Sequence, residues 1–113
     1  MSQITTHVLD TTKGRPAAGI TVTLFEKVGM EWLEVATGIT SHDGRISNLL
    51  KEDNTSLPMG IYKLKFNTKE YFKVIGLEAF YPCVEIIFEI RSRDHYHIPL
   101  LLSPFGYSTY RGS

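Results

Sequence analysis

One cysteine, Cys83, is the only thiol in this chain, so no disulfide can form within it. Its apolar neighbourhood reads as that of an inert packed thiol rather than a nucleophile. An excess of either charge is also lacking, since twelve basic and twelve acidic side chains cancel. That balance gives no electrostatic support to a nucleic-acid or membrane-surface role. No apolar run approaches the roughly 18–20 residues that span a bilayer. Met1 to His7 has no basic patch followed by an apolar stretch, so no signal peptide is expected. The final residues are not a Ser-Lys-Leu type peroxisomal address. A reduced compartment is therefore expected, cytoplasmic by default, with peroxisomal residence by another route as the alternative and secretion excluded. Internal repeats, linkers and low-complexity segments are absent. So are a Gly-x-Ser-x-Gly elbow, a Gly-rich phosphate loop and a helical His-Glu-x-x-His.

What is present suits one domain over residues 1–113. A hydrophobic fraction of 42% is enough for a packed core. A chain this short buries a modest share of its surface, and oligomerisation is expected to help stabilise it. The apolar pattern has a period of two nearly throughout, which predicts strands. They are expected at Ile4–Asp10, Ile20–Phe25, Trp32–Thr37, Gly60–Phe66, Val84–Arg91, and from Asp94 or His95 to about Leu102. Turns are expected at residues 13–16, at Val28-Gly29 and at Asp43-Gly44, and a polar loop at residues 51–56. One segment departs from the β pattern. Asn67 followed three residues later by Glu70 has the form of a capping box, and Tyr71, Phe72 and Ile75 recur at helical spacing before Gly76. A single short helix is predicted over about 68–75. Short strands at roughly ten-residue spacing with one helix predict an all-β sandwich with edges to protect.

The groups able to do acid–base chemistry are few. Of four histidines, His95 and His97 stand two apart on one strand and project to the same face. His7 lies on the first strand, opposite the face carrying Ile4, Thr6 and Val8. His42 beside a turn reads as a surface residue, and Arg45 follows the Asp43-Gly44 turn. The His95/His97 pair is compatible with zinc but supplies only two of the three or four ligands a site needs. The chain closes on Tyr110-Arg111-Gly112-Ser113, which brings a phenol, a guanidinium, a hydroxyl and a carboxylate directly after an apolar strand. This ending is a candidate part of a site, and Ser113 can also be read as a nucleophile.

Two stretches carry a family resemblance. Thr6 to Ala17 resembles the N-terminal signature of the transthyretin family, and His95 to Ser108 resembles its C-terminal signature. The resemblance covers essentially the whole chain and implies a transthyretin-like β-sandwich of about eight strands with one short helix. That family includes hormone carriers and the 5-hydroxyisourate hydrolases of urate breakdown. The ending Tyr110 to Ser113 resembles that of the enzymes, and His7, Arg45 and His97 match positions that define the hydrolase group. The resemblance thus implies a hydrolase without cofactor or bound metal, working as a homotetramer, a dimer of dimers with its site in the channel between dimers. The alternative is a thyroid-hormone-like carrier. For the hydrolase, the expected base is His7 or His97. Arg45 is expected to orient the substrate and stabilise developing charge, and Tyr110, Arg111, Gly112 and Ser113 to shape and close the site.

Overall fold

The computed structural model describes residues 2–51 and 56–113; most of the expected polar loop at 51–56 lies outside them. Period-two alternation becomes strands where one face can be buried. In β1 (Ile4–Asp10), Ile4 and Val8 are fully buried, while His7 and Leu9 face outward and are half-covered. Two short pieces, β2 (Arg15–Pro16) and β5 (Arg45–Ile46), pair antiparallel with it. β8 (Tyr96–Ser103) runs parallel to β1, in register from Ile4↔Tyr96 to Asp10↔Leu102. β9 (Gly106–Thr109) returns along the far side of β8. The second sheet has the order β4-β3-β6-β7 and is antiparallel throughout. Its strands are β3 (Thr21–Val28), β4 (Glu31–Ile39), β6 (Gly60–Phe66) and β7 (Val84–Ile90). The two sheets close on one core, into which Val22, Leu24, Tyr62, Leu64, Phe66 and Leu100 are fully buried. The all-β sandwich with one helix is the architecture expected. No described helix is long and apolar enough to cross a membrane.

Several details differ from the sequence pattern for physical reasons. β3 runs on past Phe25 to Val28 and β4 covers Glu31–Ile39, with a register shift between Leu24 and Phe25. A bulge re-phases the alternation, so the hairpin projects past the core with Val28, Leu33 and Val35 exposed. β2 and β5 are too short to leave a period. β9 lies beyond the last expected strand, which ends near Leu102; Pro104-Phe105 makes the intervening turn.

The helix, α1 (Thr68–Val74), forms where expected, but the capping box does not. Asn67 makes no side-chain cap bond; instead its backbone N–H donates to the Thr21 carbonyl at 3.0 Å, which docks the helix start on β3. The other end closes as read. Gly76 has φ +77°, its N–H donates to Lys73 O, and Leu77 N–H donates to Phe72 O. These are the paired bonds of a Schellman motif, which satisfy carbonyls that the helix leaves open.

Phe72 fills the core, and Tyr71 ties the helix to β1. Asp10 is fully buried and saturated: Oδ1 accepts from the N–H groups of Thr12 and Lys13, and Oδ2 accepts from the Tyr71 hydroxyl at 2.7 Å. Burial, then this bond to Asp10, pushes the Tyr71 pKa up to about 12. Replacing Tyr71 by Phe leaves one buried carboxylate oxygen without its donor. Tyr71→Phe should lower stability by about 1–3 kcal/mol, read as a lower urea midpoint at unchanged slope; an unmoved midpoint would remove this tie from the account.

Candidate active site

The parallel ladder sets Thr5 of β1 directly beside His97 of β8, both on the outer face of the first sheet. His7, two residues on, lies beside Pro99 and, across its other edge, opposite Arg45. Arg45 is held there by a tight turn. Gly44 N–H donates to Ser41 O, Val8 N–H donates to Gly44 O, and Gly44 has φ +78°. A Cβ at Gly44 would lie 2.5 Å from the Val8 carbonyl oxygen, so only glycine lets the turn approach β1 this closely. The Asp43 carboxyl is held below its usual range, first by the Ser41 hydroxyl and then by the Arg45 N–H. Its ion pair with Arg45 Nε, 3.9 Å and half-exposed, contributes little to stability.

Thr5, Arg45, His95, His97 and Ser113 line a cavity of about 230 Å³. The Thr5 hydroxyl bridges the two imidazoles, 2.8 Å from His95 Nε2 and 2.7 Å from His97 Nδ1. The rings lie nearly parallel, 25° apart with centroids separated by 6.3 Å. Because Nδ1 of His97 is engaged by Thr5, Nε2 is the nitrogen left to meet a water or ligand. Burial holds the His97 pKa below its ordinary value of 6.5, helped by the nearby His95, Arg45 and His7; the Thr5 main-chain carbonyl opposes this. These surroundings favour the neutral ring, the form a general base requires. His7 stands beside the cavity rather than in its lining, and its Nε2 is buried without a partner among the described residues. A buried polar atom in that state favours any donor or acceptor brought to it.

The last residues fold back along β8. Gly112 N–H donates to His97 O at 2.8 Å, and a Cβ at Gly112 would lie 2.5 Å from His97 Cδ2. The chain therefore crosses the imidazole at a distance only glycine permits. Strand alternation sends the neighbouring Arg111 the other way, where its guanidinium stacks 4.4 Å over the Tyr96 ring. Tyr110 and Arg111, expected to reach the same place as His97, instead line a second cavity of about 620 Å³ with Ile86, Phe88, Tyr96 and Ile98. It opens between the edge strands β7 and β9. Gly112 and Ser113 stay on the His97 side.

His42 is exposed in the Ser41–Gly44 turn, away from the other imidazoles, and Cys83 is half-buried before β7. Among the described residues no three His, Cys, Asp or Glu side chains converge to hold a metal ion. Thr5 was not singled out from the sequence. Its only trace there is the parity that places it on the same face as His7; its partner strand is not encoded locally.

A family model described as HIUase/Transthyretin matches residues 4–112. The chain belongs to this family. Among its relatives, the 5-hydroxyisourate hydrolase of Mus musculus is 46% identical over 99% of this chain and 96% of its own. That of Pseudomonas aeruginosa is 42% identical over 100% and 93%. Solved structures similar in fold include the 5-hydroxyisourate hydrolase of Klebsiella pneumoniae, with a TM-score of 0.85 and 38% identity over 97% of this chain and 98% of that one. Sea bream transthyretin in complex with thyroxine scores 0.89 at 34% identity, over 97% and 94%. The fold is thus shared by hydrolase-named and transthyretin-named members alike, and the backbone does not separate them.

Gly112 has no positive φ, so alanine fits its backbone and acts only by displacing the His97 ring. Gly112→Ala should leave the fold intact while moving the His97 ring resonances in NMR spectra; unshifted His97 resonances in the folded variant would show that the residue 110–113 segment does not position this ring.

Proposed function

We propose that this protein hydrolyses 5-hydroxyisourate to 2-oxo-4-hydroxy-4-carboxy-5-ureidoimidazoline, a step of urate degradation. The observation that carries the reading is the half-buried His97, its Nδ1 tied to Thr5 and its Nε2 free beside Arg45. Relatives named 5-hydroxyisourate hydrolase at 42–46% identity over nearly the whole chain support it.

In the proposed reaction His97 Nε2 takes a proton from water while the water oxygen attacks a ring carbonyl carbon. Charge gathers on the carbonyl oxygen, where the Arg45 guanidinium stabilises it through paired hydrogen bonds. The ring C–N bond then breaks, and the departing nitrogen takes up the proton. His7 Nε2, buried and unpartnered, is placed to orient the substrate or return that proton. Of the two bases left open by the sequence, His97 takes the role: it lines the cavity with Nδ1 tied to Thr5, and burial favours its neutral form. Ser113 offers a hydroxyl at the cavity wall rather than a nucleophile. Tyr110 and Arg111 act by anchoring the segment, and the Arg111–Tyr96 stack contributes about 0.5–1 kcal/mol. No cofactor or metal takes part in these steps.

The working form proposed is a homotetramer. The edges β7 and β9 lie unpaired on either side of an apolar cavity, and the outer face carrying the site has its own half-covered apolar groups, Leu9 and Leu101. Pairing edges and covering faces is what a small sandwich gains from association. The carrier reading draws on the likeness to thyroxine-bound sea bream transthyretin, but imidazole and guanidinium groups at the cavity disfavour an apolar iodinated ligand.

The deciding experiment follows the ultraviolet absorbance of 5-hydroxyisourate with and without protein. Decay should accelerate, in EDTA as well, and His97→Asn should slow turnover by about a hundredfold or more. An unchanged spontaneous rate with wild-type protein, or tight saturable thyroxine binding by calorimetry with no acceleration, would replace this reading by the carrier one. Because the fold lowers the His97 pKa, the base form persists as pH falls through the ordinary 6.5. The acid limb of kcat/KM should therefore have its midpoint below 6.5; a midpoint above it would remove His97 as the base.

A further inference from the structure

We propose that Thr5 is a positioning residue for this hydrolysis: its hydroxyl joins His97 to His95 as a proton relay, its donors all pointing one way at rest, that holds His97 Nε2 bare and facing the cavity. The inference rests on the reading of His97 as the base.

The argument begins with proton counting. A threonine hydroxyl has one proton to give and two lone pairs to receive with. With ring nitrogens at 2.7 and 2.8 Å, it cannot donate to both, so at least one of those nitrogens carries hydrogen. The relay places that hydrogen on His97 Nδ1, which leaves Nε2 bare for the base role. The hydroxyl then accepts from Nδ1 and turns its own proton to His95 Nε2, so all the donors point one way. Thr5 is only 5% exposed and β-branched, which restricts its side-chain rotation. The register Thr5↔His97 fixes its distance to the ring.

The charges around the site give the relay its direction. The groups facing His97 are Arg45 on β5, His7 on β1 and His95 on its own strand, and each opposes a positive charge on the half-buried ring. His95 is the exposed member, where water solvates an imidazolium. As Nε2 takes the proton of the attacking water, the Nδ1 proton passes to Thr5 Oγ1 and the Thr5 proton passes to His95 Nε2. Thr5 Oγ1 gains one proton and loses one, His97 ends neutral with hydrogen on Nε2, and the charge sits on His95; when the departing nitrogen takes the Nε2 proton, the relay runs back through Thr5 and restores Nδ1–H on His97. Without the hydroxyl, the charge stays on a ring whose surroundings resist it. Nothing then prevents His97 from adopting the Nε2–H tautomer, which is no base.

Thr5→Val keeps the shape and removes the hydroxyl, whereas Thr5→Ser keeps the hydroxyl. Thr5→Val should lower kcat about tenfold or more with KM within about twofold, and Thr5→Ser should recover most of the rate. Imidazole ¹⁵N spectra of substrate-free protein supply the readout that a merely structural role would not move. Wild type and Thr5→Ser should show Nδ1–H with a bare Nε2 on His97, and Thr5→Val a tautomer mixture. Should Thr5→Val not fold, His95→Phe removes the far end of the relay and should lower kcat while leaving the His97 tautomer in place. An active wild type whose folded Thr5→Val variant keeps both rate and tautomer, or whose His95→Phe variant keeps its rate, overturns the relay. A wild type that does not accelerate decay fails the hydrolase reading instead, and the spectra still report whether Thr5 sets the tautomer.

Discussion

The parallel pairing of β1 with β8 is the constraint on which the rest depends. Parallel neighbours need a long crossover between them, and here the whole second sheet and the helix lie between the two strands in sequence. The ladder places Thr5 against His97 and His7 against Pro99. Every other site element attaches to one of these strands: the Gly44 turn docks Arg45 on β1, and residues 110–113 return along β8 to cross the His97 ring. The candidate site is therefore built from residues almost a chain length apart. Its geometry depends on the core beneath, where Ile4, Val8 and Leu100 lock the two strands from the inner side.

The two cavities divide the chemistry of the molecule. The larger one, between the sheet edges, is walled by Ile86, Phe88, Tyr96 and Ile98 together with charged Glu89, Arg91, Asp94 and Arg111, and carries no imidazole. The smaller one has less room but holds the groups that can move a proton or meet an oxyanion. Size favours the first as a binding place, while the imidazoles belong to the second. In the present account the first is structural, a place where edges meet and Arg111 is anchored on Tyr96, and the second is where water is activated.

Legibility in the sequence followed the range of the interaction. β1, β6 and β7 were readable because alternation of Ile4/Val8, Tyr62/Leu64/Phe66 and Val84/Ile90 against polar neighbours is local. The Gly76 helix stop was readable for the same reason. The Asn67 cap was misread because a backbone bond to Thr21, distant in sequence, took its place. Bridges of two residues at β2 and β5 leave no pattern, and the bulge at Leu24/Phe25 hid the true length of the β3–β4 hairpin. At the site, parity correctly paired His95 with His97. His7 and Arg45 were reached through family resemblance rather than spacing. Thr5 escaped notice because its importance comes from the strand beside it. Tyr110 and Arg111 were grouped with Gly112 by sequence, yet β-alternation sends the Arg111 side chain through to the opposite face of the same segment.

The account's central claim is that the small outer-face cavity receives the substrate. Urate, a stable oxidised purine that lacks the reactive 5-hydroxyl, can be titrated into isotopically labelled protein while amide and imidazole resonances are followed. Saturable shifts centred on Thr5, Arg45, His97 and Gly112 are predicted. Saturable shifts confined to Ile86, Phe88, Tyr96 and Ile98, with the His97 ring unmoved, would contradict it.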